Sequence, residues 1–578
     1  MGRELVLLLS ALMADAGSSP DVPGVQREGT PPPIQPEPSG NAGKSLPVDR
    51  ARDVPALKKA AGQGGPDAQY QLGLAYSFGQ GVAQDYAEAA RWYRKAADQG
   101  NAGAQFGLGL AYDYGRGEAQ DPAEAARWYR KAADQGNAPA QFLLGDCYES
   151  GRGVPQDFVE AVGWYRKAAD QGNAGAQFKL GFAYANGGGV QQDFAEAVRW
   201  YRKAADQGNA EAQANLGLAY ANGRGVPQDR AEAVRWYRKA ADQDNAFAQF
   251  NLGVACANGE GVLQDHAESV RWYEKAADQG HAGAQFNLGL AYYFGQGLPQ
   301  ERAEAVRWWR RAANRGHAKA QFNLGLAYAN GEGVPQDFAK AARLYGRAAD
   351  QGDAEAQTNL GLAYANGEGV PQDHEEAVRW WRKAADQGLA EAQLDLGNAH
   401  YLGRGVPQDH AEAMRWWRKA ADQGDAGAQT NLGLAYSHGK GVTQDHEEAV
   451  RWWRKAADQG NAEAQTNLGL AYANGEGVPQ DHAEAVRWWS RAADQGNALA
   501  QFGLGNAYHL GQGVPPDEAT AYFWANLAAA VNKSAKEDSF AKLRDSIAAN
   551  LTRSQLSAIR KRCRRWMVDF EKHKAQQR

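Results

Sequence analysis

The stretch that decides the fold is Asn461–Gly496, which reads NAEAQTNLGLAYANGEGVPQDHAEAVRWWSRAADQG. Near-copies of it recur along the chain, and a glutamine that follows an alanine marks each copy every 36 residues. These glutamines are Gln69, Gln105, Gln141, Gln177, Gln213, Gln249, Gln285, Gln321, Gln357, Gln393, Gln429, Gln465 and Gln501. A fixed period of this length is typical of solenoids, in which each unit contacts only its neighbours. The 578 residues therefore predict one elongated repeat domain rather than several globular ones.

Each copy predicts a helical hairpin. Gln465, Leu468 and Tyr472 follow the spacing of one helix face and define a first helix, here called the A helix. Trp488 and Trp489 share a face of a second helix, the B helix, and are expected to point inward. Neither helix can bury its apolar side within one hairpin, so neighbouring hairpins must stack. The predicted fold class is all-α: a right-handed α/α superhelical solenoid of about thirteen helix-turn-helix repeats with helical caps.

Small and capping residues predict how each hairpin closes. Gly469 has a counterpart in every copy although glycine inside a helix costs about 1 kcal/mol relative to alanine, which predicts close backbone approach between helices. Gly475 and Gly477 fit turn positions that require positive φ. Asp481 and Glu484 have the spacing of a capping box at the start of the B helix.

The two ends of the chain depart from the repeat. Residues 1–16 combine one Arg, an apolar run and Ala-Asp-Ala, which predicts a signal peptide; the alternative is a disordered start with a chance apolar run. Residues 17–50 are Pro-rich with few large apolar side chains, which predicts a disordered linker. Residues 51–65 are predicted to form an N-terminal capping helix, 66–532 the array and 533–578 the C-terminal capping helices. The expected location is periplasmic or secreted if the signal is real, and otherwise cytoplasmic.

The last predicted helix carries two kinds of side chain. Its apolar residues are expected to cover the end of the core: Leu556, Ile559, Cys563, Trp566, Met567 and Phe570. The basic residues are expected on the opposite face, in solvent: Arg560, Lys561, Arg562, Arg564 and Arg565. Binding of a polyanion is the alternative for this basic run.

Composition narrows the possible partners. With 63 basic and 68 acidic residues the net charge is −5, which does not favour a nucleic-acid partner. No run of about 18 apolar residues occurs, so no integral membrane segment is expected in the mature chain. Cys147, Cys256 and Cys563 are far apart, which argues against a disulfide framework or a zinc site.

The segments LGLAYANGEGVPQD (468–481) and EAVRWWRKAADQG (376–388) resemble the Sel-one-like repeat family, a relative of the tetratricopeptide repeat. The resemblance covers Pro66 to about Asn532. It implies an α/α solenoid used as a scaffold for protein contacts, often periplasmic, secreted or membrane-associated in bacteria, and it implies no single partner.

A column of asparagines two residues after the repeated glutamine is the main candidate site. An amide can donate and accept at once, so such a column could hold the backbone of an extended peptide. The resemblance points the same way, since related repeats use inner-face asparagines in this role. The alternative is that the amides bond to the neighbouring helix or to water. The column is interrupted by Asp395 and consists of Asn215, Asn251, Asn287, Asn323, Asn359, Asn431 and Asn467.

One position earlier, phenylalanines give way to threonines along the array. Phe106, Phe142, Phe178, Phe250, Phe286 and Phe322 precede Thr358, Thr430 and Thr466. The change suggests an apolar and a more polar surface zone, and Phe250, Phe286 and Phe322 are grouped with the asparagines as candidate peptide-binding residues. The alternative is packing between adjacent A helices.

No pattern predicts catalysis, a metal or a cofactor. His266, His374, His410, His446 and His482 follow capping residues in separate repeats, about 10 Å apart, too far to share an ion. The glycines of residues 187–189 and 439–441 lack the full phosphate-loop pattern and fit turns. No nucleophile lies beside a base at a recognisable spacing.

The predicted function is a non-catalytic scaffold or adaptor that binds a protein or peptide ligand on the concave face of the solenoid. The alternative is a cell-envelope polysaccharide-associated assembly factor or hydrolase. The high Trp content favours this alternative. Solvent exposure of Trp380, Trp416 and Trp452 discriminates between them, because exposed indoles favour the polysaccharide alternative. The partner and the oligomeric state are left open.

Overall fold

The computed structural model describes residues 54–531 and 538–577. Over these residues the regular structure consists of 29 helices and no strand, which confirms the all-α repeat prediction. The predicted signal peptide (1–16), the linker (17–50) and the start of the C-terminal segment (533–537) lie outside the described residues.

The first helix, α1, is Val54–Gly62, and A and B helices then alternate from α2 to α27. The A helices are Pro66–Phe78, Ala102–Tyr114, Ala138–Ser150, Ala174–Asn186, Ala210–Asn222, Ala246–Asn258, Ala282–Phe294, Ala318–Asn330, Ala354–Asn366, Ala390–Leu402, Ala426–His438, Ala462–Asn474 and Ala498–Leu510. The B helices are Tyr86–Asp98, Pro122–Asp134, Phe158–Asp170, Phe194–Asp206, Arg230–Ala241, His266–Asp278, Arg302–Asn314, Phe338–Asp350, His374–Asp386, His410–Asp422, His446–Asp458, His482–Asp494 and Glu518–Val531. Two more helices follow, α28 (Asp538–Ala548) and α29 (Arg553–Gln577).

The described chain divides into two compact units. The first holds residues 54–320 with 332–334, and the second holds 321–331 and 335–577. Within each unit an A helix packs against the B helix that follows it, and that B helix packs against the next A helix. Repeats are numbered here from 1, which begins at Pro66, to 13, which begins at Ala498.

The hairpin that contains Asn461–Gly496 shows why these residues form these helices. Asn461 caps the A helix by accepting from the Ala464 N–H at 2.9 Å, and Gly475 ends it with a φ of 74°. Asp481 caps the B helix by accepting from the Glu484 N–H at 3.0 Å. The predicted capping box is only half present, because Glu484 pairs with Arg487 at 3.0 Å instead of reaching back. The Asp481 N–H donates to the Tyr472 carbonyl at 2.9 Å, so it does not need Glu484.

The glycine inside each A helix except the last makes room for an aromatic ring. A Cβ on Gly361 would lie 2.5 Å from Trp381 Nε1, and the nearest backbone atom, the Ala377 carbonyl oxygen, would be 3.1 Å away. Gly469 meets Trp489 in the same way. Close approach was predicted correctly, but the closest neighbour is a side-chain ring of the B helix rather than its backbone.

The interpretation of two surface zones is wrong, because the phenylalanines and threonines lie inside the hairpin. Thr358, Thr430 and Thr466 are buried. They occur in repeats whose B helix carries Trp at the second aromatic position, as in Trp381, whereas most of the phenylalanines face a Tyr. The Phe106 ring, for example, lies 6.1 Å from that of Tyr129. In repeats 9, 11 and 12 a larger B-helix ring thus accompanies a smaller A-helix side chain, which suits dense packing, whereas repeat 7 pairs Phe286 with Trp309.

The repeated glutamine joins successive repeats. Gln465 Nε2 donates to the Ala457 carbonyl at the end of the preceding B helix, at 3.0 Å. Its Oε1 accepts from Nε2 of Gln495 at 2.9 Å. The same pair of bonds is formed in repeats of both units, for instance around Gln105 with Ala97 and Gln135. A buried amide with both ends bonded satisfies one of the orphan carbonyls of a helix end, which explains why the glutamine recurs.

Repeats 7 and 13 are exceptions, since Oε1 of Gln285 and Oε1 of Gln501 are buried without a hydrogen-bond partner. In repeat 7, Arg315 stands where repeats 1–6 and 8–12 carry the second glutamine. The partner of the repeated glutamine is therefore set by that one position.

The C-terminal helix α29 covers the end of the array. Ile559 and Cys563 are buried in a cluster with Phe523 and Ile547, as the apolar spacing predicted. Met567 is 36% exposed, so its predicted place in the core is wrong. Within the described residues, none of the helices combines the length and the apolar character needed to cross a bilayer.

The basic residues of α29 are exposed, as predicted, and two of them also contact the last B helix. Arg560 Nε donates to the Tyr522 hydroxyl at 3.0 Å, and the Arg562 guanidinium lies 4.2 Å from the centroid of the Phe523 ring. Both side chains therefore attach the helix to the last B helix of the array.

Candidate peptide-binding face of the A helices

One side of each A helix faces solvent. In repeat 12 this side carries Asn467, Leu470, Ala473 and Asn474, and the equivalent positions of the other repeats form columns along the array. We call this the A-helix face. Leu470 is 43% exposed, whereas Leu468 on the other side of the same helix is buried. The fold therefore leaves these columns accessible while it uses the opposite side of the helix for the core.

Three of the predicted asparagines bond to their own helix. Nδ2 of Asn215, Asn251 and Asn359 donates to the carbonyl oxygen four residues earlier, at 2.8, 2.7 and 2.9 Å. One amide N–H is thereby used. The Oδ1 atom and the second N–H are the groups with which a ligand could bond.

The other asparagines differ among themselves. Nδ2 of Asn431 donates to Oδ1 of Asn398, on the preceding A helix, at 3.0 Å. Asn467 Nδ2 is buried without a hydrogen-bond partner. Asn323 is buried and Asn287 is half-buried. The alternative of bonding to a neighbouring helix thus describes Asn431, and a peptide-binding role for the column stays a prediction.

The predicted phenylalanines contribute to the interior. Phe286 and Phe322 are buried. Phe250 is half-buried and stacks on His281 with the ring centroids 4.5 Å apart. A ligand contact by these rings stays a prediction.

The column three residues after the asparagines was not anticipated. It carries an apolar side chain in most repeats, and each of these is half-buried except the exposed Leu470. The spacing of three residues from the asparagines was the available signal, because it places both columns on one side of the helix. The column consists of Leu74, Leu110, Phe182, Leu218, Val254, Leu290, Leu326, Leu362, Leu434 and Leu470, with Asp146, Asn398 and Asn506 in the remaining repeats.

The surface of the B helices has the opposite character. Glu and Arg three residues apart form ion pairs, as between Glu484 and Arg487 at 3.0 Å. The same pair recurs between Glu376 and Arg379 at 3.0 Å. The array therefore has a charged B-helix side and an A-helix face of leucines and amides.

The indoles that discriminate between the two functional hypotheses are buried. Trp380, Trp416 and Trp452 are 9%, 6% and 3% exposed. The ammonium groups of Lys383, Lys419 and Lys455 cover these rings at 3.7, 3.8 and 3.9 Å from their centroids. Rings placed in this way do not offer a stacking surface for a sugar.

In repeats 2 to 4 the A-helix face carries ion pairs. Asp113 is buried and forms an ion pair with Arg152 at 2.9 Å, while the Tyr129 hydroxyl donates to it at 3.1 Å. Lys179, which stands in the asparagine column, places its Nζ 2.6 Å from Oε2 of Glu149 on the preceding A helix. A cation at this column is thus stabilised by a carboxylate of the adjacent repeat.

Asp395 interrupts the asparagine column in repeat 10. The carboxylate is half-buried, and burial together with the nearby Glu391 and Asp425 raises its pKa to about 7. An aspartate with this pKa is the kind of perturbed group that accompanies functional sites.

Two histidines were missed as helix caps. His281 and His317 replace the usual Asn or Asp, and their Nδ1 atoms accept from the Ala284 and Ala320 N–H groups at 3.2 and 3.1 Å. Burial lowers the pKa of each to about 4, and His281 adds to the effect on His317. The five histidines considered as metal ligands each begin a B helix.

Within residues 54–531 and 538–577, no three His, Cys, Asp or Glu side chains converge to hold an ion. The three cysteines are buried free thiols, and burial raises the pKa of Cys147 and Cys256 to about 11.

Stacked helical hairpins with a 36-residue period define the class of α-helical repeat solenoids. The family profile described as Sel1 repeat matches residues 66–101, 102–137, 138–173, 174–209, 210–245, 246–281, 282–317, 318–353, 354–389, 390–425, 426–461, 462–497 and 498–532. The chain belongs to the Sel1 repeat family.

Solved structures show the same likeness. The chain is 36% identical to c5321, described as a protective antigen present in uropathogenic Escherichia coli strains and displaying an SLR fold; the match covers 77% of this chain and 95% of that one, with a TM-score of 0.71. It is 37% identical to a Sel1 repeat protein from Oxalobacter formigenes, over 53% of this chain and 89% of that one, with a TM-score of 0.42. The comparison with curated proteins found no match.

Proposed function

We propose that this protein is a non-catalytic scaffold that binds a protein or peptide ligand along its A-helix face, the face expected to be concave in the solenoid. The observation that carries the proposal is the difference between the two sides of the array. Ion pairs cover the B helices, whereas the A helices offer half-exposed leucines beside amides. Outside repeats 2 to 4, where the A-helix face carries its own ion pairs, an apolar surface with interspersed amides can bind a peptide without displacing strong internal ion pairs.

An extended peptide suits the chemistry of this face. Leucines on successive A helices can contact alternate side chains of the ligand, and the asparagines can bond to its backbone. Each contact is weak, and affinity comes from their repetition along the array. The buried, lysine-covered indoles count against the polysaccharide alternative.

The test is selection of 12-residue peptides from a random library on the full chain, followed by binding measurements by fluorescence anisotropy. We expect the triple variant Asn359→Ala, Asn431→Ala and Asn467→Ala to weaken the selected peptides about tenfold or more.

The matched control changes three arginines on the B helices of the same unit, Arg379→Ala, Arg415→Ala and Arg451→Ala. It should leave the affinity unchanged. Equal loss in both triple variants, or no loss in the asparagine variant, would contradict the proposal.

A further inference from the structure

The C-terminal helix α29 carries a dense positive charge. It contains eight Lys or Arg and two acidic residues, in a chain whose net charge is −5. Five of these cations lie in the run Arg560–Arg565, which is interrupted by Cys563. The two acids, Asp569 and Glu571, come after this run. The helix is therefore the place on the chain where an anionic partner would gain most.

The cations of the run fall into two groups. Arg560 and Arg562 contact the last B helix. Lys561, Arg564 and Arg565 are exposed, and none of the three has a hydrogen bond, ion pair or ring contact with a described residue. Their spacing of three and four residues places them on one side of the helix. The fold leaves these three charges together and does not use them.

Exposed apolar side chains accompany the three cations. Val568 follows Arg564 by four residues and Arg565 by three, so it lies on the same side of the helix. It is 54% exposed, and the neighbouring Met567 is 36% exposed. We call the side that carries Lys561, Arg564, Arg565 and Val568 the outward side of α29. It combines free cations with an apolar side chain in water.

The inward side holds the helix in place. Cys563 is buried against the last B helix, and the rings of Trp566 and Phe570 stack with their centroids 5.0 Å apart. A Cβ on Gly496 would lie 2.6 Å from Phe570 Cζ, whereas the equivalent glycine of repeats 8 to 11 would meet no atom within 4 Å. Because these contacts fix the inward side, the outward side is a preformed surface.

An anionic lipid bilayer matches this surface. Phosphate groups pair with Lys and bidentately with Arg. Clustered Lys and Arg on an amphipathic helix are the pattern that binds anionic headgroups. Apolar side chains beside the cations gain by entering the boundary between headgroups and acyl chains. A nucleic acid or an acidic peptide would satisfy the cations but offer no such boundary to Val568.

We propose that the outward side of α29 docks the protein on a membrane surface that contains anionic lipids. Lys561, Arg564 and Arg565 contact the headgroups, and Val568 enters the interface. The outward side shares no residue with the A-helix face, so this inference goes beyond the proposed function and is independent of it.

The test is sedimentation of the full chain with vesicles of phosphatidylcholine mixed with phosphatidylglycerol, and with vesicles of phosphatidylcholine alone. The chain should bind the anionic vesicles much more tightly, and added salt should release it. The triple variant Lys561→Gln, Arg564→Gln and Arg565→Gln should lower the partition coefficient on the order of a hundredfold, because each cation near an anionic surface contributes a factor of about five. Val568→Ser should lower it about threefold.

The matched control removes the same net charge from exposed B-helix cations of the same unit, in the triple variant Arg379→Gln, Arg415→Gln and Arg451→Gln. It should bind the anionic vesicles as the original chain does. Thermal unfolding followed by circular dichroism checks that both triple variants keep the fold. Equal weakening in the two triple variants, or equal binding to neutral and anionic vesicles, would overturn the inference.

Competition separates the bilayer from soluble polyanions. A single-stranded RNA or a Glu-rich peptide, added at the same concentration of anionic groups as the vesicles present, should leave most of the chain on the vesicles. Displacement of the chain by either competitor would overturn the membrane assignment in favour of a soluble polyanion. The selection of peptides on the A-helix face tests the proposed function separately, and its outcome does not depend on α29.

Discussion

At the scale of single residues, the glycine inside each A helix shows how packing outweighs helix propensity. Alanine would favour the helix by about 1 kcal/mol at such a position. The ring of Trp381 leaves no room for a Cβ on Gly361. The sequence signal was correct, because a residue that is locally unfavourable yet repeated has a tertiary reason.

Gly361→Ala should destabilise the second unit by about 1–3 kcal/mol, because the new methyl group must displace a packed indole. Gly346→Ala is the matched control, since this glycine also lies in a helix of that unit but has no atom within 4 Å of the added Cβ. Gly346→Ala should raise the free energy of unfolding by about 0.5–1 kcal/mol. Urea titrations followed by far-UV circular dichroism measure both, and effects of the same sign would contradict the account.

The capping histidines predict a loss of stability in mild acid. Each has a pKa of about 4 in the folded chain against 6.5 as the ordinary value. The unfolded state therefore binds more protons between these values, and stability falls as pH decreases from about 6.5 to about 4, on the order of 3 kcal/mol for each histidine. The double variant His281→Asn and His317→Asn keeps the caps and should remove this dependence. Urea unfolding midpoints of both proteins at pH 7.5 and pH 5 measure this. If the double variant loses as much stability between the two pH values as the original chain, the histidines are not the cause.

Asp395 has the opposite relation to pH. Its pKa rises to about 7 on folding, so the folded state binds more protons between about 4 and 7, and stability falls as pH rises through this range. Asp395→Asn should therefore stabilise the second unit by about 1–3 kcal/mol at pH 8 and have little effect at pH 4. Hydrogen exchange of helix 390–402 at both values measures the difference. Equal effects at both pH values would mean that ionisation is not the cause.

At the scale of helices, the repeated glutamine and its partner bind one repeat to the next. The sequence revealed the glutamine as a marker of period, but its two hydrogen bonds depend on a B helix of the preceding repeat and a residue 30 positions later in the chain. Such a contact follows from the packing of helices. No local pattern contains it.

Arg315→Gln should complete the missing link in repeat 7 by supplying a donor to the buried Gln285 Oε1. The free energy of unfolding should rise by about 0.5–1.5 kcal/mol, which is the net contribution of one hydrogen bond. Hydrogen exchange of helix 282–294 reports it locally. The converse variant, Gln351→Arg, removes the bond to Gln321 Oε1 and should accelerate exchange in its own repeat. Slower exchange in that variant would contradict the role of the link.

At the scale of the whole molecule, the period makes the array modular. Deletion of residues 426–461 removes one repeat and joins Asp425, an N-cap, to Ala462, the start of an A helix. The shortened chain should fold with the same helicity per residue and a modest loss of stability. Deletion of residues 426–443 removes an A helix and its turn, leaves a B helix without its partner, and should give an unstable or aggregated protein. Circular dichroism and size-exclusion chromatography compare the two, and equal behaviour would show that the hairpin is not the folding unit.

The sequence by itself determined the all-α repeat fold, the bounds of the hairpins to within about a residue, the burial of the tryptophans and the family. It did so because a short period repeated over the chain averages out local ambiguity, and because capping and turn residues act on their immediate neighbours. The start of a helix at Asp481 and the end of a helix at Gly475 could be predicted in this way.

Only the tertiary structure decided which polar and aromatic residues remain available for binding. The threonine column proved to be interior, and its composition follows the ring that the B helix places against it. The pKa of Asp395 is raised by burial and by Glu391 and Asp425, which belong to two successive repeats. Burial, electrostatic balance and contacts between repeats depend on distances across the fold, and residues far apart in the chain set these distances only once the helices are packed.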